Sequence, residues 1–172
     1  IDLVDMSRAE SAITEWRGVT LQPLFAERMP PETSHWSAND ASLVLEVRYG
    51  TFSALFTGDI EARAEQALLP HLSSVDVLKV PHHGSKTSSN PGLLGITRPS
   101  FAVVQAEDGG RFGLPHAHVE ERYQNANIPF WVTGRCGAVQ VRTNGHGFQV
   151  VPYASDTHLG RFCSAFKTHT EI

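Results

Sequence analysis

Basic charge is scarce in this chain. Fourteen Lys and Arg stand against eighteen Asp and Glu, a net charge of −4. That excludes a nucleic-acid binder working through a broad cationic surface and leaves such a role only to a local site or a metal. Cysteine is scarcer still: Cys136 and Cys163 are the only two. They are too few for a disulfide framework or a thiolate metal cluster, and they read as two free, buried thiols. No apolar run approaches the roughly 20 residues of a membrane span, and the first residues lack the basic start and apolar centre of a signal peptide. Gly-x-Ser-x-Gly, Walker and dinucleotide glycine patterns are also missing, which removes the common serine-hydrolase, P-loop and Rossmann chemistries. Nothing near Cys136 would activate a thiolate.

What remains is an ordinary globular composition, 172 residues with 41% hydrophobic and 19% charged. A chain of this length buries roughly 70% of its unfolded surface, and one domain is the default. The chain opens on Ile1 rather than Met, and it is read here as a piece of a longer protein.

The hydrophobic pattern alternates between strand and helix periods. Residues 18–24 form a short strand and 27–40, rich in proline and small polar residues, a loop. Residues 42–49 and 52–57 are the clearest hairpin, turning at Gly50-Thr51. Residues 60–72 have a helical period, with Ile60, Ala64, Ala67 and Leu68 on the apolar face and Glu61, Arg63 and Glu65 opposite. Asp59 stands where it caps that helix. A strand at 75–80 stops at Pro81, and Ser88 and Ser89 are placed to cap a short helix at 91–96. A buried strand at 101–105, a loop at 107–115, a helix at 118–127, a strand at 129–132 and a final hairpin at 137–142 and 147–151 complete the pattern. The fold class is therefore α/β, a mixed sheet with flanking helices. The domain is expected over 1–154, with an irregular tail over 155–172.

Two strand ends carry chemistry. Thr57-Gly58-Asp59 puts a carboxylate beyond one strand, and Lys79-Val-Pro-His-His-Gly-Ser-Lys-Thr-Ser88 puts two imidazoles beyond the next. Carboxylate and imidazole together suit zinc or manganese. Of the two rings, His83 is read as the ligand because it touches Gly84 and lies farther into the loop mouth; His82 is its support or an alternative ligand. Ser85, Lys86, Thr87 and Ser88 offer hydroxyls, an ammonium and loop amides to a phosphate. His116 is a candidate substrate contact or proton donor. His118, two residues on, is expected to face elsewhere. His35, His71, His146, His158 and His169 are read as surface or capping residues.

At these residues the chain resembles the metallo-β-lactamase superfamily, and within it the C-terminal hydrolase-like domain of the ComEC family of DNA-internalization competence proteins. The resemblance is carried by Asn39-Asp-Ala-Ser-Leu-Val-Leu45, Leu55-Phe-Thr-Gly-Asp59, Asp76-Val-Leu-Lys-Val-Pro-His-His-Gly-Ser-Lys-Thr-Ser-Ser89 and the strand at Phe101, with Gly113 to His116 and Gly137-Ala-Val139 extending it. It implies an αββα sandwich of which this chain is the C-terminal half, with Asp59 as the metal-bridging aspartate and His83 as the late histidine ligand. It further implies DNA as substrate of the full-length protein, no small-molecule cofactor, and a bacterial inner-membrane protein whose hydrolase-like domain is extracytoplasmic. Two departures stand out. Gly113-Leu114-Pro115-His116 replaces the family's Gly-His-Pro-His, and no His-x-His-x-Asp-His cluster occurs, so most ligands and the N-terminal half would precede Ile1. Two ions are expected only in the complete domain.

In that complete domain the expected reaction is phosphodiester hydrolysis, with His116 and Lys86 as the catalytic side chains. The chain as given is expected to have negligible metal-dependent activity and an exposed sheet face. The competing expectations are a non-catalytic remnant of the same fold, favoured by Leu114, and a soluble hydrolase of small phosphodiesters or lactones.

Overall fold

The computed structural model describes residues 14–24, 36–152, 163 and 166–167. Its centre is a seven-stranded sheet built in simple chain order: β1 (Thr14–Trp16), β2 (Val19–Pro23), β3 (Leu45–Tyr49), β4 (Phe52–Phe56), β5 (Val77–Lys79), β6 (Phe101–Val104) and β7 (Phe130–Val132). The first four strands pair antiparallel, joined by tight turns where the chain allows. From β4 onward pairing is parallel, and the crossovers carry helices α1 (Ala62–Leu68), α2 (Pro91–Thr97) and α3 (Ala117–Asn125), as parallel strands require. A short α4 (Thr133–Cys136) leads to β8 (Val139–Thr143) and β9 (Phe148–Pro152), which with β10 (Phe166–Lys167) make a second, three-stranded sheet.

Alternation along the strands sends side chains to two cores. Leu55, Leu78, Ala102, Val104 and Val132 pack with Ala64, Leu68, Leu94 and Tyr123 of the helices. Phe52, Ala54, Val77, Phe101 and Trp131 face the small sheet, against Phe148 and Val150. The α/β sandwich expected from the pattern is thus present, with helices on one face and strands on the other. The small sheet does not fill its side completely: a cavity of about 370 Å³ remains, lined by residues including Val47, Phe56, Lys79, Val103 and Val141.

Several sequence expectations change. Cys136 and Cys163 are not free thiols; they are joined as a disulfide with Cα atoms 5.7 Å apart, within the usual span. The described part of the expected irregular tail supplies β10, because β9 offers an open edge and Phe166 pairs with Val150 there. The first helix begins at Ala62, so its buried face is Ala64, Glu65 and Leu68, while Ala67 is exposed. Asp59 does not cap this helix. Asp40 does so from a distance, its Oδ1 accepting from the amides of Glu61 (2.9 Å) and Ala64 (3.4 Å). The N-cap of α2 is Asn90 rather than Ser88 or Ser89. His71 and His146 are exposed as expected; His35, His158 and His169, and most of the 27–40 loop, lie outside the described residues.

Candidate metal centre

The carboxyl ends of three neighbouring parallel strands form one rim. Asp59 follows β4, His83 follows β5 and Gln105 follows β6, the position where open α/β sheets gather ligands. Two glycines let the chain turn there. At Gly58, with φ +56°, a side chain would collide with Ser42, and at Gly84, with φ +77°, it would collide with Pro115. Between them His82 (φ 45°) and His83 (φ 53°) are also left-handed. Non-glycine residues pay roughly 1–2 kcal/mol each for that conformation, and such outliers persist where surrounding contacts hold them, often at functional sites. The contacts here are the His82 amide on the Gly58 carbonyl and the Ser85 amide on the His82 carbonyl.

His83 Nε2 lies 3.4 Å from Asp59 Oδ1. Its other nitrogen, Nδ1, lies 2.6 Å from the Gln105 carbonyl oxygen and therefore carries a proton, so that the neutral ring presents the Nε2 lone pair toward Asp59. A ring held this way by its far nitrogen is the usual state of a metal-ligating histidine. Ligand atoms about 2.0–2.1 Å from one tetrahedral cation stand about 3.3 Å from each other, so the spacing fits two ligands of a single ion better than it fits a hydrogen bond. The fit covers one edge of a metal centre only. Among the described residues no group of three or more His, Cys, Asp and Glu is placed to hold a cation, and zinc sites take at least three protein ligands.

Lys79 also reaches this carboxylate, 3.4 Å from Oδ1, while donating to the Gly58 carbonyl. Burial lowers its pKa, and the attraction of Asp59 opposes that. His82 lies beside this pair. Its Nε2 lies 3.5 Å from Asn39 Nδ2. Its Nδ1 is 3.2 Å from Glu61 Oε1, but is buried and too poorly aligned to hydrogen-bond. Ser42 Oγ accepts the Asp59 amide at 3.0 Å. Asn39, Ser42, Glu61, Lys79 and the Gln105 carbonyl are thus parts of the centre to which residue-type reasoning gave no role. The Asn39 to Leu45 stretch was a signal for the first two and the Asp76 to Ser89 stretch for Lys79; nothing local marked Glu61 or a backbone carbonyl.

The loop expected to meet a phosphate holds its polar side chains in different ways. Ser88 is fully buried and donates to the Pro81 and Ser85 carbonyls, so its hydroxyl braces the loop and does not reach a ligand. Thr87 Oγ1 donates to Glu61 at 2.7 Å. Ser85 is half-buried, its hydroxyl 3.0 Å from that of Thr87, and Lys86 is exposed. The loop is clamped from behind by Glu65, which accepts the amides of Ser89 and Asn90 and the Asn90 side chain. Arg122 donates to the Ser88 and Ser89 carbonyls. His116 joins the rim through its backbone, its amide donating to the Gly84 carbonyl at 3.0 Å. Its ring stacks on that of His118 with centroids 5.7 Å apart. The two rings share a direction, contrary to the expectation, because His116 is the N-cap of α3 and His118 lies in its first turn. No hydrogen bond or ion pair links the His116 ring to Asp59 or His83 among the described residues.

No family model matches the chain. Among curated proteins it is 33% identical over 139 residues to "Uncharacterized protein YcaI" of Escherichia coli (strain K12), covering 79% of this chain and 18% of that protein. It is 36% identical over 126 residues to "Recombination protein 2" of Haemophilus influenzae, 73% of this chain and 16% of that protein. It is also 36% identical over 109 residues to "ComE operon protein 3" of Bacillus subtilis, 62% of this chain and 14% of that protein. The chain thus spans less than a fifth of the length of these relatives. No helix among the described residues is long and apolar enough to cross a membrane.

Proposed function

We propose that this domain contributes part of a divalent-metal phosphodiesterase centre, acting on DNA, to a bacterial DNA-uptake protein anchored in the inner membrane. The supporting observation is the convergence of Asp59 Oδ1 and His83 Nε2 at 3.4 Å with His83 Nδ1 already committed to Gln105. The names of relatives, "Recombination protein 2" and "ComE operon protein 3", favour DNA over a small phosphodiester or lactone. The Cys136–Cys163 disulfide suits an oxidising, extracytoplasmic location. The fold reading is that of the metallo-β-lactamase superfamily, with further ligands supplied from outside the described residues.

Asp59 and His83 would hold zinc or manganese. Such a cation, when bound, supplies Lewis-acid polarisation of the phosphoryl group and activation of water. Lys86, exposed at the loop tip, places an ammonium where phosphoryl oxygens approach. His116 is assigned proton donation to the leaving oxygen. The second reading, a metal-free remnant, is favoured by Lys79, whose ammonium beside Asp59 Oδ1 already serves as a counter-ion.

The test is metal binding and DNA cleavage by the protein together with whatever sequence its gene encodes around this domain. Asp59→Ala and His83→Ala are each expected to weaken zinc or manganese binding by more than about 100-fold, beyond the 10- to 100-fold typical of supporting residues, and to abolish metal-dependent cleavage. Unchanged metal affinity in both variants, or no metal binding by the unaltered protein, selects the remnant.

A further inference from the structure

We infer that the tip of the loop between β6 and α3, Arg111 and Phe112, is a contact for single-stranded DNA in which Phe112 stacks on a base and Arg111 meets a phosphate. The inference deepens the function proposed above and rests on it for the choice of DNA.

Phe112 is 75% exposed, more than Trp16, Leu43, Tyr49 and Phe56, the other exposed large apolar residues among those described. The Arg111 guanidinium lies 5.7 Å from the centroid of its ring, a cation–π pair presented to solvent. An aromatic face beside a guanidinium is the element that single-strand binders use, because every base has a π-face and every nucleotide a phosphate. Duplex DNA keeps its bases stacked on each other, so such a ring reaches a base face there only by unstacking a step, at a cost of a few kcal/mol.

Position singles out this pair. The described residues carry two others. Trp36, with Arg63 over its ring at 5.7 Å, is partly buried against the helix-side core, and the Trp16–Val19–Tyr49–Phe52 register places Arg17 over Trp16, at 5.2 Å, at the end of the sheet opposite Asp59. Phe112 instead sits four residues before His116, whose amide is bonded to Gly84 beside the candidate metal ligands. The roots of the loop are fixed and its tip is open. Arg135 holds Asp108 at 2.7 Å and Glu120 through two 2.9 Å bonds, which also offsets one of the two negative charges that would repel a phosphate. Glu107 lies against Gly110, whereas a side chain added at Gly109 or Gly113 would meet nothing within 4 Å. With a net charge of −4, binding must rely on stacking more than on electrostatics, which is the property a lone exposed phenyl ring supplies.

The experiment measures binding of fluorescent oligothymidine and of a duplex of equal length to the protein with its natural flanking sequence, by anisotropy at several salt concentrations. Phe112→Ala is expected to weaken oligothymidine binding about 5- to 100-fold, with Phe112→Trp restoring it. Arg111→Ala is expected to lower the slope of log affinity against log salt by about 0.7. Trp16→Ala, at the far end, should leave binding within about twofold of the unaltered protein. The inference is overturned by an unchanged affinity in Phe112→Ala, by no oligothymidine binding in the unaltered protein, or by a preference for the duplex. Loss of binding to phosphatidylglycerol vesicles with oligonucleotide binding intact would also overturn it, assigning the tip to a membrane surface. Metal binding is measured in parallel. If metal binds and Phe112→Ala has no effect, only this inference fails; if no metal binds and Phe112→Ala still weakens binding, only the hydrolase reading fails.

Discussion

Two loops leave neighbouring strands at the same rim, and they are built in opposite ways. The loop at 81–90, after β5, is clamped on its inner side. Ser88 and Ser89 are fully buried, Glu65 takes two of its amides, Arg122 donates to two of its carbonyls, and the Tyr123 hydroxyl lies 3.1 Å from that of Ser89. The loop at 105–116, after β6, is tied at its roots, by His83 on the Gln105 carbonyl, Thr133 and the Gly134 amide on Ala106, Arg135 on Asp108 and the His116 amide on the Gly84 carbonyl, and its tip is held by its own turns. A loop carrying metal ligands must hold them to a fraction of an ångström, whereas a loop that meets a polymer must yield to it. On the function proposed above, the contrast separates a loop that would hold ligands from a loop that would meet DNA on one rim.

The largest expected effect comes from releasing the clamp. Glu65→Ala removes a buried carboxylate and leaves the Ser89 and Asn90 amides without their acceptor, along with the Arg122 charge that it offsets. A loss of about 3–5 kcal/mol in unfolding free energy is expected, readable by urea denaturation. Weaker metal binding should accompany it, although Glu65 touches neither Asp59 nor His83. A loss below about 1 kcal/mol would mean that the loop holds its shape by its own turns, and the comparison would break.

A smaller effect separates charge from shape. Burial raises the pKa of Glu65 above its ordinary 4.5, against the pull of its hydrogen bonds and of Arg122. The folded state therefore keeps a proton that the unfolded chain has released. The stabilisation linked to that proton is complete below about pH 4.5 and is lost as pH rises through the raised folded value. Glu65→Gln cannot titrate, so the stability of the unaltered protein relative to this variant should grow on acidification from neutral pH toward 4.5. Parallel pH profiles for the two proteins would show that the carboxylate is not desolvated.

How much of this was legible beforehand depended on what each residue does. The β3–β4 hairpin, the β5 and β6 strands and the helices between them follow from period and turn residues, because alternation at 42–57 and the apolar runs at 75–80 and 101–105 have one reading each. Asp59 and His83 were legible as residue types at strand ends, and the structure brings those two side chains together. Glu65 was not: on a helical wheel it belongs to the polar face, and only a helix start two residues later than read, plus the amides of Ser89 and Asn90, turns it inward. Ser88 failed for a related reason, since a hydroxyl in a loop looks available until the loop folds over it. The disulfide needed the chain after Pro152 to return to β9, a long-range event that two cysteines with a sequence separation of 27 do not announce.

The smallest expected effect lies in the open loop, and its smallness is the point. Arg111 and Phe112 contribute little buried area, and a side chain at Gly109 or Gly113 would meet nothing within 4 Å, so changing them costs the folded state little beyond their own exposed cation–π pair. Arg111→Ala and Phe112→Ala should each leave unfolding free energy within about 0.5 kcal/mol of the unaltered protein. Native-state hydrogen exchange should sharpen the same contrast. The Ser89 and Asn90 amides, bonded to a buried carboxylate, should exchange only through large openings, while the amides of Gly109, Arg111 and Phe112 exchange at nearly the rate of an unstructured peptide. The Gly113 amide, bonded to the Gly110 carbonyl at 2.9 Å, should fall between them. If the tip proved as protected as the clamp, some part of the protein outside the described residues would have to cover it, and Phe112 would then be an interior contact rather than a surface waiting for a base.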